Sequence, residues 1–273
     1  MKLFRFEKYP VFLGLIFWVF LLGVILALGG CATAGARSSA GTISLSEETD
    51  VERRSRIRLE LAVSYFESGK MQVAQEEVRQ ALAINPSYVD AYNLHGLINM
   101  RLNDPVQAEN GFRRALAIRS DDASALHNYA WFLCQQSRYA EAENNFEKLL
   151  GHPSYKDRGR TLMARGVCQK LSGNKQAAEK TLLKAHEIDA ANSIVSFNLA
   201  EVLWERQEYS KARFYIRRVN NSDRATAESL WLGIKIERAL GDVIAQQQLA
   251  DQLGKRFSDS RQNSWYERGA FDE

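Results

Sequence analysis

The sequence predicts an all-α protein, a superhelix of about six stacked helix pairs, on three observations. The first is a pattern of small and bulky residues that recurs at intervals of about 34 residues. Its clearest copy lies in residues 121–153, with small side chains at Ala130 and Ala142 and bulky ones at Tyr129, Leu133, Phe146 and Leu149. Two antiparallel helices that touch where side chains are small need this arrangement, and Arg138-Tyr139 marks the turn between them. The second is the presence of only four prolines in 273 residues, since proline is excluded from helix interiors. The third is that apolar and polar residues nowhere alternate as they do in a half-buried strand. One helix pair cannot bury its apolar face alone, so the pairs must stack.

The chain begins with a segment of another kind. Lys2, Arg5 and Lys8 precede an almost unbroken apolar run from Val11 to Leu28, which either stays in a membrane or is cleaved. Its ending, Leu28-Gly29-Gly30-Cys31-Ala32, resembles the lipobox of bacterial lipoproteins. That resemblance implies a lipoprotein signal peptide over residues 1–30, cleavage before Cys31, and acylation of the Cys31 thiol and of the new amine. A plain signal anchor with an incidental cysteine is the alternative. Three acyl chains exceed what stable anchoring takes, and Ala32 after the cysteine resembles the sorting signal for the outer membrane, facing the periplasm. Residues 31–50, rich in Ala, Gly, Ser and Thr, form a flexible tether, which coil scaling lets reach roughly 25 Å.

The repeats follow over residues 51–260. The first covers 55–88 with Ala62, Tyr65, Gly69, Ala74, Val78 and Ala81. The second, 89–122, carries Tyr92, Gly96, Ala108, Phe112 and Ala115, and departs from the pattern at His95 and in its turn, Asn103-Asp104-Pro105. After the third, two extra residues near Asp157 precede the fourth, 159–192, with Gly166, Gly173, Ala178 and Leu182. The fifth, 193–226, has Leu199-Ala200, Leu203, Tyr209, Ala212 and Ile216; the sixth, 227–260, is the least regular, as terminal repeats are. The pattern resembles the tetratricopeptide repeat (TPR), which implies a right-handed superhelix. Residues 261–273 either cap the sixth repeat through Trp265 and Tyr266 or fray.

Little points to chemistry. The net charge of +3 is too small to argue for nucleic acid, and no basic stripe with interleaved aromatics appears, so no nucleic-acid partner is expected. The four histidines, His95, His127, His152 and His186, lack metal-ligand spacing, and there is no phosphate loop or nucleophile elbow for a small-molecule substrate. The expectation is a non-enzyme without cofactor or metal, its only added group the lipid on Cys31. Cys134 and Cys168 fall on the first helices of adjacent repeats. They form either a disulfide, which an oxidising compartment permits, or a pair of buried thiols, because they are not at equivalent repeat positions and their Cβ vectors need to meet.

The concave face is the candidate site. In a stack of this kind the first helix of each pair lines the hollow side. Helical spacing selects Leu59, Val63 and Phe66 in the first repeat, then Asn93, Leu97 and Met100 in the second. His127 and Trp131 follow in the third, Met163 in the fourth, Phe197 and Trp204 in the fifth, and Trp231 in the sixth. Exposed apolar and aromatic residues in a channel suit an extended peptide or amphipathic helix. A register shift of one residue would instead put several of them in the core.

Finer details narrow the family. Asn128-Tyr129-Ala130-Trp131-Phe132-Leu133-Cys134, followed by Arg138-Tyr139-x-Glu141-Ala142-Glu143 and Pro153-x-Tyr155, resembles the PilF/PilW family of type IV pilus biogenesis lipoproteins. So do Leu230-Trp231-Leu232-Gly233 and Leu240-Gly241-Asp242. The resemblance covers residues 28–258 and implies a pilotin: a protein that binds the pilus secretin subunit and supports its outer-membrane localisation or multimerisation. A general periplasmic scaffold for outer-membrane protein or cell-wall synthase assembly is the alternative.

Overall fold

The structure, a computed structural model, describes residues 48–272. The signal segment, Cys31 and all of the tether before residue 48 lie outside the described residues. Within them the chain is helical throughout, thirteen helices without a strand. Six antiparallel pairs follow one another. They are α1 (Asp50–Glu67) with α2 (Met71–Ile84), α3 (Val89–Arg101) with α4 (Pro105–Ile118), and α5 (Ala123–Gln135) with α6 (Tyr139–Leu150). Then come α7 (Arg158–Leu171) with α8 (Lys175–Ile188), α9 (Ser193–Glu205) with α10 (Tyr209–Asn220), and α11 (Ala227–Ala239) with α12 (Val243–Arg256). A short α13 (Arg261–Glu267) closes the stack. None of the described helices is long and apolar enough to cross a membrane.

Local chemistry sets the ends of these helices. Thr49 and Glu52 form a reciprocal capping box at the start of α1, the Glu52 N–H donating to Thr49 Oγ1 (3.1 Å) and the Thr49 N–H to the Glu52 carboxylate (2.8 Å). Asp104, Asp122, Asn174, Asn192, Asp242 and Ser260 accept from the first-turn amides of α4, α5, α8, α9, α12 and α13. Within each pair the turn passes through one left-handed residue. Gly69, Asn103, Ser137, Gly173, Gln207 and Gly241 all have φ between 56° and 82°. They recur at intervals of 34, 34, 36, 34 and 34 residues. The turn at Asn103-Asp104-Pro105 is therefore regular: asparagine tolerates the left-handed conformation that glycine takes elsewhere, and Pro105 occupies the first turn of α4.

Small residues let the paired helices meet. Ala62, Ala130 and Ala200 are fully buried on the first helices, as are Ala74, Ala108, Ala142, Ala178 and Ala212 on the second. At Gly96 a Cβ would lie 2.5 Å from the Phe112 ring, so the ring occupies the space a side chain would need. Fully buried Phe112, Phe132 and Phe146 form the centre of the stack.

The two ends differ. At the first repeat Ile57 and Leu61 are 46% and 41% exposed, since among the described residues no helix pair precedes α1. At the other end α13 folds back on α11 and α12, with Trp265 and Tyr266 packed against the sixth repeat and Phe271 stacked on Trp231 (centroids 5.4 Å apart). This is the capping alternative for residues 261–273.

Candidate functional site: a concave groove on the first helices

The first helices α3, α5 and α7 lie side by side and form the floor of a concavity of about 930 Å³. Its apolar lining includes Phe66 from α1, Leu97 and Met100 from α3, Trp131 from α5, and Met163 and Val167 from α7. Each is half-buried: the base of the side chain packs on the stack and the remainder faces the hollow. Asn93 and His127 complete the floor. Asn128, Asn198, Tyr155, Asp157, Arg101 and Arg160 add polar groups that sequence reasoning did not select.

Most of the sequence-selected residues share one helical face. Leu59, Asn93 and His127 are spaced by 34 residues, as are Val63, Leu97 and Trp131. Two more residues in the loop after α6 shift the same face to Met163 and Val167 in the fourth repeat. Val167 was legible by that offset and was missed. Tyr155 sits in the loop and has no periodic signal; its hydroxyl reaches Thr161 Oγ1 at 2.7 Å.

Five of the selected residues do not line this concavity. Leu59 packs half-buried against the core of the first two repeats. Val63 stands 38% exposed beyond the groove's end at Phe66. Phe197 and Trp204 pack half-buried against the core shared by the fifth and sixth repeats, Trp204 tilted on Tyr209 (centroids 4.9 Å). Trp231 is a correction as well: it is only 4% exposed because Trp265 and Phe271 of the cap lie over it, so this end of the hollow face is filled by the chain itself.

The groove floor is uncharged. His127 is 8% exposed, its Nδ1 lies 2.8 Å from Thr161 Oγ1, and its ring meets Phe146 edge-on. Burial, reinforced by the positive charge of Arg160, pushes its pKa down to about 4. It is therefore neutral at pH 7 and serves as a polar packing group. Asn128 Nδ2 donates to Asn93 Oδ1 (3.0 Å), an amide pair across α3 and α5 whose outer donor and acceptor face the groove. Two guanidiniums flank this floor. Arg101 lies over the Phe66 ring (5.4 Å to its centroid) and Arg160 stands on the first turn of α7. Both are exposed, and neither forms an ion pair among the described residues.

Behind the groove the cysteines meet. Cys134 on α5 and Cys168 on α7 form a disulfide with Cα atoms 5.7 Å apart, inside the range such a bond requires. Their non-equivalent repeat positions do not keep them apart. Among the described residues there is no cluster of His, Cys, Asp and Glu suited to a metal ion.

Comparison with known proteins agrees with this architecture. The tetratricopeptide repeat family profile matches residues 59–124. The chain is 30% identical over 224 residues to the type IV pilus assembly protein PilF of Pseudomonas aeruginosa, covering 82% of this chain and 86% of that one. An uncharacterised protein of Haemophilus influenzae is 27% identical over 154 residues, 55% of this chain and 82% of that one. Among solved structures, PilW, a type IV pilus biogenesis factor, superposes with a TM-score of 0.73 at 27% identity, covering 77% of this chain and 96% of that one. A solved structure of Pseudomonas aeruginosa PilF gives a TM-score of 0.73 at 24% identity, covering 81% of this chain and 100% of that one. A curved stack of six TPR pairs, matched along most of its length by both proteins, places this chain in the PilF/PilW family of TPR proteins of type IV pilus biogenesis.

Proposed function

We propose that this protein is a pilotin: a lipoprotein held on the periplasmic side of the outer membrane by acyl chains on Cys31, which binds the type IV pilus secretin subunit in its TPR groove. By holding the subunit at the membrane it promotes secretin localisation and multimerisation. The observation that carries the reading is the concavity over α3, α5 and α7, with its half-buried Leu97, Met100, Trp131 and Met163. Apolar side chains presented in a concave channel gain by accepting another polypeptide's apolar residues. The family's role in pilus biogenesis names the process, and the lipobox-like ending before Cys31 supports the anchor.

The test is genetic and biochemical. A deletion strain should lose detergent-resistant secretin multimers and surface pili, and Cys31→Ala should restore them poorly because the protein is no longer processed as a lipoprotein. Normal secretin rings and pili in the deletion strain would remove the pilotin reading and leave the broader one, a periplasmic scaffold for other outer-membrane or cell-wall assemblies.

A further inference from the structure

We infer that the segment this groove accepts is acidic as well as apolar, its carboxylates meeting Arg101 and Arg160 while its apolar side chains rest on the floor between them. The inference rests on the groove being a polypeptide site, and adds the chemistry of the occupant.

Charge complementarity carries it. The charged side chains lining the groove are Arg101, Asp157 and Arg160, two cations against one anion, and His127 adds no charge to the floor. Several other cations near the first helices are committed to carboxylates: Arg138 to Glu109 and Glu141, Arg165 to Glu143 and Glu147, Lys170 to Glu201. Arg101 and Arg160 have no such partner among the described residues. The Arg101 guanidinium also lies over the Phe66 ring, 5.4 Å from its centroid, which sets it beside the apolar lining. An occupant covering the apolar floor would strip water from both guanidiniums. Without carboxylates opposite them, that desolvation would cost more than the contact returns. With carboxylates, the planar donor fork of arginine forms paired, charge-assisted hydrogen bonds. Asp157 stands on the same wall as Arg160 and reduces the net charge there, so the Arg101 end is the more selective of the two.

The experiment is panning a phage-displayed library of random linear peptides on the full-length protein in detergent micelles. Clones that still bind a Leu97→Glu/Trp131→Glu variant are discarded, so that only groove-dependent sequences remain. Asp and Glu should be enriched about twofold or more among these over the naive library. Synthetic copies should bind Arg101→Glu/Arg160→Glu about tenfold more weakly, as expected for the loss of two partly exposed ion pairs. Both arginines are exposed, so this variant should fold, and an unchanged circular dichroism melt checks that it does. Groove-dependent clones without acidic enrichment, or equal binding to the arginine variant, would overturn the inference and leave peptide capture intact. A panning that yields no groove-dependent clones would overturn the peptide-site reading and this inference with it.

Discussion

Removing the Cys134–Cys168 disulfide should cost this protein a substantial part of its stability, and the size of the loss follows from where the bond lies. The cysteines are 34 residues apart, and the loop they close holds all of α6 and the longer connection to α7. In the chain-entropy treatment, closing a loop of that length stabilises by roughly 4 kcal/mol. At about 2–4 °C per kcal/mol for a chain of this size, that corresponds to roughly 8–15 °C in Tm. The double variant Cys134→Ala/Cys168→Ala is the right perturbation, because it leaves no lone thiol to form mixed disulfides. In a repeat array each unit depends on its neighbours, so the loss should appear first as faster amide exchange in α5, α6 and α7. Cys134 and Cys168 are 2% and 3% exposed, so reductant should act on the native protein only slowly. Calorimetry with hydrogen-exchange mass spectrometry reads both effects. A double variant melting within about 2 °C of the parent, or free thiols in protein purified from an oxidising compartment, would refute the reasoning.

Three further outcomes follow from the packing. His127 has a folded pKa pushed down to about 4, so its unfolded form binds the proton first; stability should fall as pH drops from about 6.5 towards 4, by up to about 3 kcal/mol. Urea melts across that window should show a shallower fall in His127→Gln, and identical profiles would mean that His127 is not buried neutral. Glu237, 1% exposed, accepts from Arg217 Nε at 2.9 Å, lies 3.2 Å from Arg213 Nε, and links α10 to α11. Glu237→Ala should cost about 3 kcal/mol, near the lower end for a broken buried pair because both arginines reach solvent, and a chemical melt unchanged from the parent would contradict this. Phe271→Ala should cost about 1–2 kcal/mol and raise amide exchange in α13, since the ring stacks on Trp231 and lies 3.7 Å from the Arg238 guanidinium; unaltered exchange there would mean that the cap does not depend on this ring.

What the sequence showed, and what it hid, follows from periodicity. The face that lines the groove was readable because His127, Trp131, Asn93 and Leu97 repeat at a fixed interval along first helices, and stacked units keep one face inward. Tyr155 was not readable, because it enters the groove from the loop that breaks the interval. Nor were Arg101 and Arg160, which sit at the last residue of α3 and in the first turn of α7, where charged residues are ordinarily taken as solvated helix termini. Trp231 occupies the right periodic position and still leaves the groove, because Phe271 of the non-repeating tail lies over it. The turn at Asn103 looked irregular only because asparagine there does the work of glycine.

Whether the hollow side grips the secretin subunit, as proposed, can be read in living cells. Site-specific photo-crosslinking in living cells tests it most directly, with a photoreactive residue at Met100 or Trp131 inside the groove and, as control, at Arg79 on the exposed face of α2. A crosslinked species containing the secretin subunit should form from Met100 and Trp131 and none from Arg79. Secretin crosslinks from Arg79 alone, or none from either groove position in cells that assemble normal pili, would contradict it.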